Sequence, residues 1–289
     1  MNLKLIAALA VLAAAGCSTL KEPAYDTLIS HRGESTDAPE NTMAAFKTAV
    51  ERGFGFECDV YLSADKELFT FHDVNLSRTT GGVHRERCTE ASWKDTLSKV
   101  NVGGWGRWKG SRFDPSRPAL LSEVLALARD GRFIYVEIKG NEPSWAPYIR
   151  AEIEKAKNVN PGNVLFITFG EDIASALKRE MPHYRTYWLT GVRKRVAGEK
   201  DRKKWPVYTA GELVAKLRKL GVDGIDIGFD KDVIDAAFVK TVKDAGFSFH
   251  VWTIDDLETA KTAFAVGAET LTTNRAKGLL EEYRKEKGE

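Results

Sequence analysis

Titratable side chains interrupt otherwise apolar segments at a few places in this chain. His31-Arg32 follows the short apolar run Thr27–Ser30. Glu57 and Asp59 lie inside Phe54–Leu62, and His72-Asp73 closes the continuation of that stretch. Glu137 and Lys139 flank Ile138 at the end of Phe133–Ile138. In an extended segment side chains alternate sides, so Glu57 and Asp59 share one side and Cys58 takes the other; Glu137 and Lys139 pair off likewise. Charges inside apolar strands are costly unless a counter-charge or a metal compensates them. Glu57, Asp59 and Glu137 make an all-oxygen set suited to a hard divalent cation, Mg²⁺ or Ca²⁺. The competing explanation is a buried ion-pair set with Arg32 and Lys139, which costs desolvation without evident return. His31 and His72 add two imidazoles able to exchange protons near neutral pH. An anion held by a metal, two cations and two imidazoles is an arrangement for phosphoryl chemistry.

Such residues need a scaffold that brings distant strand ends together. Eight short apolar runs alternate with helical patterns: Thr27–Ser30, Phe54–Leu62, Phe133–Ile138, Val164–Ile167, Thr186–Leu189, Gly224–Ile227, Ser248–Thr253 and Thr270–Thr273. Helical periodicity marks Pro39–Arg52, Leu120–Arg129, Glu171–Arg179, Ala210–Leu220, Asp232–Ala245 and Asp255–Ala265, several followed by Gly. This alternation predicts an α/β fold, a (β/α)₈ TIM barrel, with a doubly wound parallel sheet as the alternative. In a barrel the chemistry sits at the C-terminal ends of the strands, where His31, Glu57, Asp59, Glu137 and Lys139 fall. About forty polar, Gly- and Trp-rich residues, roughly 73–118, break the alternation after the second strand. A loop this long is commonly functional, and Trp93, Trp105 and Trp108 suggest a folded cap. The 289 residues are 43% hydrophobic, with 43 Lys+Arg against 41 Asp+Glu and a net charge of +2. These values exclude a disordered tail protein and give no reason to expect nucleic acid as partner.

Several runs together resemble the glycerophosphodiester phosphodiesterases. They are His31-Arg32-Gly33, Ala38-Pro39-Glu40-Asn41-Thr42, Ala45-Phe46, Glu57-x-Asp59-Val60, Asp65, His72-Asp73, Arg78-Thr79-Thr80 and Glu137-Ile138-Lys139, with Trp252-Thr253 and Thr273-Asn274-Arg275 late in the chain. The resemblance spans roughly 28–279. It implies a barrel with an insertion, and metal-dependent hydrolysis of glycerophosphodiesters to sn-glycerol 3-phosphate and an alcohol. By the same resemblance Glu57, Asp59 and Glu137 would bind the metal, and His31 and His72 would be the acid/base pair. Arg32 and Lys139 would hold phosphoryl oxygens, and Glu40 and Trp252 would border the substrate. Alternatives are a phospholipase D-like lyase or hydrolase acting on lysophospholipids or sphingolipids, and a non-enzymatic glycerophosphodiester-binding lipoprotein. Asn41 also reads as a helix N-cap; His250 and Phe229 read as packing residues, His84 and His183 as surface.

The first residues form a separate object. Lys4 precedes an apolar run, Leu5–Ala15, too short to span a bilayer and suited to a signal-peptide core. Gly16-Cys17-Ser18 after Ala14-Ala15 resembles a bacterial lipobox, whose cysteine is acylated. The expected organisation is a lipoprotein signal peptide over 1–16, a tether over 17–26 and one barrel domain over 27–284. The implied location is the cell envelope, with the domain lipid-anchored at Cys17 and facing the periplasm or exterior. The alternative is a plain secretory signal. Three cysteines exclude a disulfide scaffold, and Cys58 and Cys88 read as unpaired thiols. The Lys/Arg run Arg193–Lys204 reads as a solvated loop.

Overall fold

The computed structural model describes residues 21–194 and 205–289. Eight parallel strands close on themselves: β1 (Leu28–Ser30), β2 (Gly55–Leu62), β4 (Ile134–Ile138), β5 (Val164–Thr168), β6 (Arg185–Gly191), β7 (Gly224–Gly228), β8 (Ser248–Trp252) and β9 (Leu271–Thr273). Closure comes from β1, which pairs with β2 on one side and β9 on the other. The helices α1 (Met43–Glu51), α2 (Leu121–Leu125), α3 (Ala146–Lys155), α4 (Glu171–Glu180), α5 (Ala210–Leu220), α6 (Ala236–Asp244), α7 (Leu257–Ala265) and α8 (Ala276–Lys287) surround it. The closed sheet excludes the doubly wound alternative. Outward residues such as Cys58, Val60, Val136 and Ile138 pack under the helices, while Ile29, Tyr135, Leu165, Ile167, Tyr187 and Leu189 fill the barrel interior. His250 belongs to that interior, stacked on Tyr187 with ring centroids 4.5 Å apart. No helix among the described residues is long and apolar enough to cross a membrane.

Several elements differ from the sequence reading. The stretch before His72 is not a continuation of β2. Lys66, at φ +68°, turns the chain back, and β3 (Leu68–Thr70) runs antiparallel to β2. The first helix starts at Met43, not Pro39, because Thr42 caps it, its hydroxyl accepting from the Ala45 amide. Asn41 is therefore not the cap. The helix expected to run to Arg129 ends at Leu125: Asn158 Nδ2 donates to the Ala126 and Ala128 carbonyls, engaging them outside any helical ladder. Helices α3 and α8 were absent from the sequence reading. In the insertion, Leu76, Cys88, Leu97, Val100 and Val102 are buried against the barrel. Asp65, in the β2–β3 turn, accepts from the Trp93 and Lys94 amides and pins the insertion there. Cys58 and Cys88 are both buried and unpaired. Of the Arg193–Lys204 run, residues 195–204 lie outside the described residues, as do residues 1–20 with Cys17.

The turn from β1 to α1 is the tightest constraint near the barrel mouth. Gly33 sits at φ +77°, and a Cβ there would come 2.6 Å from the Ala45 backbone carbon. Left-handed backbone and overpacking together predict that Gly33→Ala destabilises the protein by about 2–5 kcal/mol. Chemical denaturation checks this; an unchanged midpoint would show that the turn relaxes freely.

Candidate active site

The β2–β4 register sets the centre of the site. Asp59 pairs directly with Glu137 across the two strands, and the two-residue period puts Glu57 on the same inner side. Each of the three offers a carboxylate oxygen within 4.8 Å of the others, and all three are buried. Two cations answer them. Lys139 Nζ lies 3.2 Å from Asp59 Oδ1 and 2.7 Å from Glu137 Oε1, and Arg32 Nε lies 3.3 Å from Asp59 Oδ2. Asp59 receives most of this charge, which holds its carboxyl below the usual range against the effect of burial. Burial and its like-charged neighbours push Glu57 well up, and Glu137 rises to about 7 for the same reasons. Glu57 Oε1 has no partner among the described residues. One divalent cation would supply what Arg32 and Lys139 leave uncompensated, so the donor set fits a hard metal ion.

Both histidines have Nδ1 fixed by a side-chain hydrogen bond. His31, just past β1, places Nδ1 2.7 Å from Asn274 Oδ1. Asn274 is itself held, its amide and Nδ2 both donating to Asp255. Its oxygen therefore faces the ring and selects the tautomer with the proton on Nδ1. His31 Nε2 is left facing the cluster, 3.9 Å from Glu57 Oε2. Burial, with Arg32 next, lowers the His31 pKa to about 4, so the ring is neutral. His72 follows β3 and places Nδ1 2.7 Å from Asp73 Oδ1. Its pKa is lowered mainly by burial, opposed by Asp59 and Asp73.

Asn41 and Arg78, which the sequence reading gives no part in the site, organise these groups. Asn41, at φ +56°, donates from Nδ2 to Asp59 Oδ2 at 2.7 Å and accepts the Asp59 amide. Arg78 forks onto Glu40 through Nη1 and Nη2 at 2.9 and 2.7 Å, and onto Asp73 through Nε and Nη2 at 2.7 and 3.0 Å. Glu40 also accepts from Arg32 Nη1 at 2.9 Å, so both its oxygens are taken by arginines. Trp252, half-buried at the end of β8, bonds through Nε1 to the Asp226 carbonyl and meets Phe169 edge-on. Two spaces open from the cluster. A small cavity of about 40 Å³ is lined by His31, Glu57, Glu137, Asp226 and Trp252. A broad groove of about 970 Å³ is lined by Tyr61, His72, Lys139 and Phe169 among others. The structure brings His31, Arg32, Glu57, Asp59, His72, Glu137 and Lys139 together, with Asp226, a carboxyl the sequence reading does not name, lining the same cavity. Glu40 and Trp252 stand at the rim.

The sequence model of the Glycerophosphoryl diester phosphodiesterase family matches residues 31–277. This chain belongs to that family. Membership makes it an enzyme of the phosphoric diester hydrolase class. A glycerophosphodiester phosphodiesterase of Caldanaerobacter subterraneus is 28% identical over 263 residues, covering 89% of this chain and 98% of the relative. Among solved structures, an Oleispira antarctica phosphodiesterase in complex with the product sn-glycerol-3-phosphate superposes with a TM-score of 0.72. It is 22% identical, over 89% of this chain and 96% of that one. A glycerophosphodiester phosphodiesterase of Parabacteroides distasonis gives 0.67 at 19% identity, over 91% and 98%. These two likenesses establish the barrel.

Arg78 neutralises Asp73, and Asp73 is what His72 leans on. Arg78→Ala leaves the Asp73 charge fully felt by the imidazole and removes a nearby cation, and both changes favour the protonated ring. The His72 pKa should move up, as a proton NMR titration of the imidazole would read; a fall or no movement would refute the coupling.

Proposed function

We propose that this enzyme hydrolyses glycerophosphodiesters to sn-glycerol 3-phosphate and an alcohol, using a divalent cation and the His31/His72 pair. The observation that carries this reading is the division of the site. His31 borders the small cavity and His72 the broad groove, with the carboxylate cluster between them. The glycerol end of the substrate fits the first, and the alcohol, of whatever size, fits the second. The relative solved with sn-glycerol-3-phosphate supports the same substrate class.

The residues would act as follows. Glu57, Asp59 and Glu137 would hold Mg²⁺ or Ca²⁺, which when bound supplies Lewis-acid charge neutralisation to the phosphoryl oxygens. Arg32 and Lys139 bind those oxygens and stabilise charge developing on them. Neutral His31 accepts the proton of the glycerol 2-hydroxyl at Nε2 as that oxygen attacks phosphorus. His72, protonated and oriented by Asp73, gives its Nε2 proton to the departing alcohol oxygen. A cyclic phosphate results. Water then attacks phosphorus and gives a proton to His72, while His31 returns its proton to the 2-oxygen. Burial keeps His31 neutral, as a proton acceptor requires, while the Asp73 carboxylate orients the His72 ring and opposes the lowering that burial gives it.

We also infer export and acylation at Cys17 from the lipobox-like Ala14-Ala15-Gly16-Cys17. Residues 21–26 lead into the N-terminal end of β1, opposite the site. A chain anchored at Cys17 would then present its mouth away from the bilayer, which favours water-soluble diesters over membrane-embedded lysophospholipids. Palmitate labelling of the wild type, lost in Cys17→Ala, tests the anchor.

His31→Ala and His72→Ala should each lose about 10²–10⁴-fold in kcat on glycerophosphocholine with little change in melting temperature. Chelation with EDTA should abolish turnover, and Mg²⁺ or Ca²⁺ should restore it. The same ions should raise the melting temperature of the chelated protein, by about 2.7 kcal/mol of stability at a hundredfold excess over Kd. Phosphorus NMR should find glycerol 3-phosphate as product. Turnover that survives thorough chelation would eliminate the three-carboxylate metal site, and an accumulating cyclic phosphate would favour a lyase.

A further inference from the structure

Asp226 is a carboxyl that the chemistry above does not use. It lies in Gly224-Ile225-Asp226-Ile227-Gly228, the whole of β7. Ile225 and Ile227 pack outward beneath the helices, and the two-residue period turns Asp226 inward. Only 1% of it is exposed, yet neither carboxyl oxygen has a hydrogen-bond partner among the described residues. A buried carboxyl left unpaired is expensive, so native proteins rarely keep one without a use. This one lines the 40 Å³ cavity together with His31, Glu57, Glu137 and Trp252. Its own backbone carbonyl is tied to Trp252 Nε1 at 3.0 Å, which fixes the wall and the carboxyl relative to each other.

Resting on the proposed phosphodiesterase reading, we propose that Asp226 binds the terminal hydroxymethyl group of the glycerol moiety and so makes glycerol the required end of the substrate. A space of about 40 Å³, at about 10–15 Å³ for each water-sized probe, takes a group the size of the end of a glycerol chain. The bulkier alcohols find room in the broad groove beside His72. The 2-hydroxyl has to reach His31 Nε2, and the carbon next to it, bearing the last hydroxyl, then points past His31 along the same cavity wall. An ionised carboxyl there would accept that hydroxyl, and a protonated one would both accept and donate, so the contact holds in either state. A site built to pair a substrate hydroxyl rejects the analogue lacking it far more strongly than an apolar pocket would, because its own polar group is then left buried and unpaired.

The test compares glycerophosphocholine with 2-hydroxypropyl phosphocholine, which keeps the attacking 2-hydroxyl and lacks only the terminal one. The holoenzyme should prefer glycerophosphocholine by about 10- to 100-fold in kcat/KM. Asp226→Leu should lose most of that factor on glycerophosphocholine and stay within about threefold of the wild type on the deoxy substrate. Asp226→Asn, which keeps a donor and an acceptor in nearly the same shape and is the safer variant for folding, should retain an intermediate preference. Melting temperatures separate a packing defect, which lowers both activities together, from the proposed contact, which lowers one. Equal turnover of the two substrates by the wild type, or equal losses on both in the variants, would overturn the proposal while leaving the phosphodiesterase reading intact. Hydrolysis of neither substrate by the wild type would overturn that reading and this proposal with it.

Discussion

Three carboxylates held within 4.8 Å of one another on neighbouring strands are the constraint that the rest of the site answers. At that spacing each like-charged pair repels by about 3–4 kcal/mol in a medium of effective dielectric constant 20. Arg32 reaches Asp59 at Oδ2 and Lys139 reaches it at Oδ1, and Lys139 reaches Glu137 as well. Two cations against three anions leave one charge over, and the residue that bears it is Glu57, whose Oε1 has no partner among the described residues. The β2–β4 pairing makes the arrangement unavoidable: once Asp59 and Glu137 are in register, the period of the strands forces Glu57 inward beside them. A site that is one positive charge short in its own side chains could accept a cation.

The backbone next to the cluster is bent to serve it. Arg32 and Asn41 both adopt the left-handed region, at φ +57° and +56°, where a side-chain-bearing residue costs about 1–3 kcal/mol. Each is held there by the carboxylates. The Arg32 amide donates to Glu57 Oε2 at 2.8 Å, and Asn41 grips Asp59 through both its amide groups. Gly33, also left-handed, lets the chain pass flush against α1. The β1–α1 turn is thus shaped by charge compensation at its start and by close packing at its end. Strain at this place is understandable, because the same turn delivers His31, Arg32 and Glu40.

Which features could be read from the sequence follows from how locally they are determined. The eight parallel strands were legible because each is a short apolar run between helices, and the inward carboxylates were legible because charges stand out in such runs. Asp226 carries that same signal more weakly, as a lone carboxyl between Ile225 and Ile227 with no second charge beside it. β3 reads as a continuation of β2 although Ser63 and Asp65 are residue types common in turns, because Lys66 completes the reversal in a left-handed conformation that lysine seldom adopts. Asn41 reads as a cap because asparagine commonly is one, while Thr42, next along, takes the part. The roles of Arg78 and Asn274 were invisible for a different reason. They depend on contacts across 38 and 243 residues of chain, and only the closed barrel defines those.

The insertion illustrates how a distant segment becomes part of a catalytic centre. A cap held only by apolar contacts, such as Leu76 and Leu97 against the barrel, could shift without informing the chemistry beneath it. Arg78 prevents that independence. Its guanidinium lies 5.0 Å from the Trp105 ring centroid within the cap, while its nitrogens bind Glu40 from the β1–α1 turn and Asp73 beside His72. Glu40 in turn holds Arg32, and Arg32 holds Asp59. A continuous set of charge-assisted bonds therefore runs from Arg78 in the cap through Glu40 and Arg32 to Asp59, with Asp73 and His72 on a branch from Arg78. Planar bidentate pairs of this kind fix orientation as well as distance, and the role proposed for His72 requires both. The insertion is consequently better understood as the element that aims His72 than as a cover laid over a finished site.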